Sequence, residues 1–160
     1  MTPYCVFVSH SMKQEDLAII YAACNDAVLR DITCYIAERD WQFGNSLPAK
    51  IDKEIRACDC FVAFLTQGGA HSAWVNQEIG HAVASGKLRI LVVEQGVQVQ
   101  GFDVGNEYIP LDRANPSEAI AKLNSYLSRL QLAKAEKMRN GALLVLGILG
   151  LFLLGGSDGG

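Results

Sequence analysis

Cys60-Phe61-Val62-Ala63-Phe64-Leu65, followed a few residues later by Ser72-Ala73-Trp74-Val75-Asn76-Gln77-Glu78-Ile79, is the stretch that decides the architecture. The first six residues are apolar without alternation, as in a strand buried on both faces of a parallel sheet. After Ser72, a residue suited to an N-cap, the period changes: Val75, Ile79, Ala82 and Val83 make a helical stripe that packs on the sheet. Trp74 and Glu78 are four apart, so indole and carboxylate share the adjoining face, and His81 falls there too. That face borders the space beyond the strand's C-terminal end, where open α/β sheets take their ligands. Spacing alone would make the pair a packed ring beside a solvated acid. Its place after a buried strand makes it a candidate site.

Outward from this unit, short apolar runs alternate with amphipathic ones, which predicts parallel strands joined by crossover helices. Tyr4–Ser9 reads as the first strand and Gln14–Leu29 as a helix with the stripe Leu17, Tyr21, Cys24 and Val28. Thr33–Ala37 is the second strand. Leu47–Ala57 is a short helix with Pro48 in its first turn. Leu88–Glu94 is a fourth strand, and Gln95–Asn106 a surface loop before a short edge strand at Tyr108–Pro110. Asn115, Pro116 and Glu118 then mark a helix start, and Ile120, Leu123, Leu127 and Leu130 give that helix its buried face.

At 160 residues, half of them hydrophobic, the chain suits one layered domain plus a tail. A formal charge of −3 and no basic run interleaved with aromatics argue against a nucleic-acid partner. The five cysteines, Cys5, Cys24, Cys34, Cys58 and Cys60, lack metal-ligand spacing and read as small buried hydrophobes with reduced thiols. Cys58-Asp59-Cys60 would point both thiols the same way without a second pair of ligands, so no metal site is expected. With a strand starting almost at Met1, no secretory signal is expected.

The sixteen residues Gly141–Gly156 carry no charge. As a helix they would rise about 24 Å against a hydrocarbon core of about 30 Å, a short span. Lys134, Lys137 and Arg139 precede the run and Asp158 follows it, so insertion would leave the folded domain in the cytoplasm. The expected organisation is a domain over 1–133, a basic juxtamembrane linker continuing the helix over 134–140, a membrane helix over 141–156 and a polar tail over 157–160. The alternative for the apolar run is a buried or self-associating helix, giving a soluble cytoplasmic oligomer.

Three segments together resemble the Toll/interleukin-1 receptor (TIR) domain family, especially its bacterial members. They are Val6-Phe7-Val8-Ser9-His10-Ser11, Glu38-Arg39-Asp40-Trp41-Gln42-Phe43-Gly44-Asn45-Ser46-Leu47, and Ser72 through Ile79. The resemblance runs from Tyr4 to about Leu130 and implies a flavodoxin-like three-layer parallel sheet, here with a C-terminal hydrophobic helix. It implies either an NAD+-cleaving enzyme or an adaptor that only assembles. Glu78 matches the family's catalytic glutamate, four residues after the matching Trp74. Ser9, His10 and Ser11 match the strand-end segment that lines the nucleotide pocket, and Asp40 and Trp41 join the substrate-binding set. Arg39, Phe43, Gly44 and Ser46 resemble residues of the family's mobile loop, which implies a self-association loop that contacts a neighbouring protomer. A basic residue often found near the first strand end is replaced by His10.

On this reading NAD+ is the substrate, no cofactor or metal is needed, and the partner is a second copy of the chain. Defence, through NAD+ depletion or a nucleotide signal, is the implied role. Nicotinamide leaves as a neutral base, so one carboxylate steadying the ribosyl cation can replace the usual pair. Trp74 offers a flat wall for nicotinamide or ribose. A Ser/His hydrolase built on Ser9, His10 and Glu78 is disfavoured, because adjacent residues on an extended segment diverge and no nucleophile elbow is present. A P-loop is absent as well. The rival from another class is a non-enzymatic TIR scaffold.

Overall fold

The computed structural model describes residues 3–11, 13–36, 47–70, 72–99 and 108–154, with side chains described as far as 142. Its elements run β1 (Tyr4–Ser9), α1 (Gln14–Val28), β2 (Ile32–Ile36), α2 (Leu47–Ala57), β3 (Cys60–Leu65), α3 (Ala73–Ala84), β4 (Leu88–Glu94), β5 (Tyr108–Leu111) and α4 (Pro116–Leu154). The five strands form one sheet in the order β2-β1-β3-β4-β5, and every pairing is parallel. β3 is buried along its whole length, as an uninterrupted apolar run in a covered sheet must be. Strand order reverses between β1 and β3, where Ser9 stands opposite Ala63. Such a reversal leaves a crevice at the strands' C-terminal ends.

Each sheet face has its own core. Val6, Val8, Val62 and Phe64 pack with Ile20, Ala23, Leu123 and Leu127 under α1 and α4. Phe7, Phe61, Ala63 and Leu65 pack with Ile51, Ile55, Val75 and Ile79 under α2 and α3. Alternation along each strand delivers neighbouring side chains to opposite layers.

Several expectations are corrected. Helix α1 buries Asp16, Ile19, Ile20, Ala23, Cys24 and Ala27, whereas Tyr21 and Val28 are exposed. Isoleucine and small side chains sit closer to the sheet than the Tyr21 stripe would allow, and they turn the helix accordingly. β2 starts one residue earlier than expected, at Ile32. In the Gln95–Asn106 stretch, Val97 and Val99 pack on the α2/α3 core, and residues 100–106 lie outside the described set. Ser72 occupies the N-cap position of α3 in an extended conformation without a side-chain cap bond.

The cysteines differ from expectation too. Cys5 and Cys58 form a disulfide with Cα atoms 4.7 Å apart. Parallel pairing sets Val6 against Cys60, which brings the residues just before them together. Cys58 faces the α2/α3 core and Cys60 the α1/α4 core. They diverge because residues 58 and 59 form a bend rather than strand. Burial pushes the Cys60 thiol up to about 12, which keeps it protonated and inert.

Helix α4 continues without a break from the domain through Leu154. Among the described residues no helix is long and apolar enough to cross a membrane. The span expected over Gly141–Gly156 is therefore not supported, and its side chains from 143 onward lie outside the described residues.

Candidate functional site

The site assembles at the topological reversal. Ser9 ends β1, and α3 starts after a tight turn leaving β3, where Gly69 N–H and Ala70 N–H both donate to Thr66 O at 2.9 and 2.8 Å. Ser72 N–H donates to Gly69 O at 2.9 Å, so the turn is hydrogen-bonded up to the start of α3. Val75, Ile79 and Ala82 are buried on the sheet, which fixes the rotation of α3 and drives Glu78 inward. Glu78 is only 2 % exposed. Trp74 Nε1–H donates to Glu78 Oε1 at 2.5 Å, and the Ser9 hydroxyl donates to Oε2. A buried carboxylate holding two such donors is oriented at both oxygens.

Ile51, Trp74, Gln77, Glu78 and His81 line a cleft of about 20 Å³ beside this carboxylate. That is room for about one water, not for a nucleotide. His81 Nδ1 stands 3.1 Å from Asp52 Oδ1. The hydrogen bond from Arg56, at 2.7 Å, holds the Asp52 carboxyl below its ordinary value despite some desolvation. An oriented imidazole thus shares the cleft with Glu78, on the face that also carries Trp74.

Of the strand-end residues, Ser9, His10 and Ser11 are all buried, and their contacts diverge. Ser9 meets Glu78, whereas Ser11 Oγ donates to Asp16 Oδ2 at 2.5 Å. His10 Nδ1 lies 2.6 Å from Ser11 O. Arg39, Asp40, Trp41, Phe43, Gly44 and Ser46 lie outside the described residues.

Asp16, Glu94 and Arg113 were not anticipated. Asp16 also accepts from Thr66 Oγ1 at 2.7 Å and from Arg113 Nη2 at 2.7 Å. Arg113 grips Glu94 through Nε at 2.8 Å and Nη2 at 2.9 Å, and Gln67 N–H donates to Glu94 Oε2 at 2.9 Å. Burial alone would raise the Asp16 carboxyl, but the hydrogen bonds from Ser11, Arg113 and Thr66, with the guanidinium charge, hold it below the usual range. The Arg113 hydrogen bond does the same for Glu94, against a smaller desolvation. One signal was legible: Asp16 is in phase with Ile20, Ala23 and Ala27, an acid on the buried stripe of α1.

The family profile described as TIR domain matches residues 6–124. The chain belongs to the TIR-domain family. Among solved structures, a CMP N-glycosidase (BcmB) from Clostridium botulinum is 22% identical with a TM-score of 0.56, covering 76% of this chain and 98% of its own. A 2-deoxyribosyltransferase from Bacillus psychrosaccharolyticus is 12% identical with a TM-score of 0.55, covering 69% and 88%. The TIR domains of the activated Roq1 resistosome are 16% identical with a TM-score of 0.49, covering 85% and 78%. At these identities the likeness to the first two concerns the fold. No curated protein sequence matches the chain.

Proposed function

We propose that this TIR domain is an NAD+ nucleosidase that cleaves the bond between nicotinamide and ribose, with Glu78 as its catalytic group. The observation that carries the reading is the Glu78 carboxylate, buried at the β1/β3 reversal and held by Ser9 and Trp74. In the reaction the C1′–N bond breaks and its electron pair leaves with nicotinamide, which departs neutral. The positive charge passes to C1′ and the ring oxygen, where a preoriented carboxylate lowers the barrier. Water then adds at C1′ and loses a proton, giving ADP-ribose; capture by an internal or foreign nucleophile would give a cyclic or transferred product. Trp74 supplies the wall along which the nicotinamide riboside lies.

The cleft beside Glu78 is too small for this substrate, so the reading includes a widening step. Self-association supplies it, through the Arg39–Ser46 segment of a neighbouring copy. Concentrated purified protein should release nicotinamide from NAD+ with a steep dependence on protein concentration, and Glu78→Gln should be silent. Equal release by folded Glu78→Gln would remove Glu78 from the reaction.

A second reading is favoured by α4, whose extension exposes Leu132 and Met138. A non-enzymatic scaffold would use that extension to cluster, with or without a bilayer. Wild-type protein that assembles yet never consumes NAD+ would establish it.

A further inference from the structure

Arg113 sits between β5 and α4, far along the chain from the residues that make the site. Through Asp16 and Glu94 it reaches both turns that frame the candidate carboxylate. Asp16 holds Ser11, two residues beyond the Ser9 that binds Glu78, and it also holds Thr66, where the turn into α3 starts. Glu94 holds the next amide, Gln67 N–H. From Thr66 the backbone bonds through Gly69 and Ala70 lead to Ser72, and Trp74 and Glu78 follow in the first turns of α3.

The two turns have no slack between them. A Cβ on Gly69 would lie 2.6 Å from Ser11 Cβ and 3.1 Å from Thr66 Oγ1. A shift in the Thr66 turn is therefore delivered to β1's end, and a shift in Asp16 is delivered to both. Among the described residues, the charged groups at this rim include Asp16, Glu94 and Arg113, with Lys13, whose side chain lies against Gly68, and the titratable His10 lies against Ser11, its Nδ1 2.6 Å from Ser11 O. Both carboxylates are buried. Without the guanidinium between them they would repel and push the turns apart.

We propose that Arg113 is a positioning residue of the candidate site, setting through Asp16 and Glu94 the separation of Ser9 on β1 from Glu78 on α3. The inference rests on the reading of Glu78 as the catalytic group. Misplacing a catalytic group by an ångström costs rate rather than binding.

The test uses the full chain with Arg113→Gln, Arg113→Lys and the double variant Arg113→Gln/Glu94→Gln. For nicotinamide release from NAD+, Arg113→Gln should lose kcat by about 30-fold or more with KM changed less than about threefold. Arg113→Lys, able to reach one carboxylate but not to grip as a fork, should recover part of that loss. In Arg113→Gln, Asp16 and Glu94 stay buried without the cation between them and repel once both ionise, so its residual rate should fall as pH rises. Neither the wild type nor the double variant should show that fall. A folded Arg113→Gln with wild-type kcat and pH profile overturns the proposal.

Amide exchange separates this outcome from failure of the nucleosidase reading. In Arg113→Gln the amides of Ser9, Ser11 and Gly69 should exchange at least about tenfold faster, while Val62 and Leu91 in the sheet interior stay unchanged. If the wild type leaves NAD+ intact, the Glu78 reading falls, and unchanged exchange at those three amides would remove the positioning role as well.

Discussion

Glu78 and Asp16 are equally buried, each 2 % exposed, and both stand beyond the C-terminal end of β1, yet their described hydrogen bonds differ in chemistry. The described hydrogen bonds to Glu78 come from neutral groups, the Ser9 hydroxyl and the Trp74 indole. Asp16 takes a guanidinium as well as two hydroxyls. Neutral donors can give way to a substrate's hydroxyls at small net cost, since one hydrogen bond replaces another. The Asp16–Arg113 pair cannot open so cheaply, because the buried carboxylate would be left desolvated without its cation. One carboxylate is thus suited to exchange partners during a reaction, and the other to hold the scaffold around it.

The sharpest way to break this contrast is to neutralise each acid in turn. Glu78→Gln keeps the shape and should reduce nicotinamide release by at least about 100-fold, with a thermal midpoint within a few degrees of wild type. A large loss of stability in that variant would place Glu78 with the scaffold instead. Asp16→Ala should do the reverse. It strands Ser11, Thr66 and one face of Arg113, and with Arg113 part-exposed the cost should be about 2–3 kcal/mol in urea unfolding. A loss below about 0.5 kcal/mol would show that the cluster is not structural.

Acid sharpens the same comparison. Asp16 and Glu94 are held below their ordinary values, so their stabilisation is complete above the unfolded values of about 4 and drains away as pH falls through the lower folded values. Urea midpoints should therefore drop between about pH 4.5 and about pH 2.5, and the drop should shrink in Asp16→Asn. An equal drop in both proteins would assign the acid sensitivity to other carboxylates. The smallest effect is expected for Trp74→Phe, which keeps a ring but removes the donor to Oε1. Its rate should fall about tenfold, measured as nicotinamide release at saturating NAD+.

Much of this could be read along the chain. β1, β3 and β4 fall where their apolar runs place them, because burial on both sheet faces leaves a continuous hydrophobic signal. The Pro116 start of α4 is local as well, written in Asn115 and the proline that follows. The Trp74–Glu78 pairing needs no tertiary information beyond a helix, since residues four apart share a face. The buried face of α1 differs from the Tyr21–Val28 stripe because Tyr21 and Val28 satisfy helical spacing as well as Ile20 and Ala27 do. Spacing does not weigh how closely a side chain lets the helix approach the sheet.

Sequence by itself determined the alternation of strands and helices, the family, and the pairing of Trp74 with Glu78 on one helix face, all of which depend on periodicity or on contiguous residues. The tertiary structure alone decided the strand order, the Cys5–Cys58 bond, the Ser9–Glu78 contact and the Asp16–Arg113–Glu94 cluster. These join residues far apart in the chain, and nothing local fixes which strand lies beside which. Parallel pairing with a reversal between β1 and β3 does, by carrying their C-terminal ends to one rim.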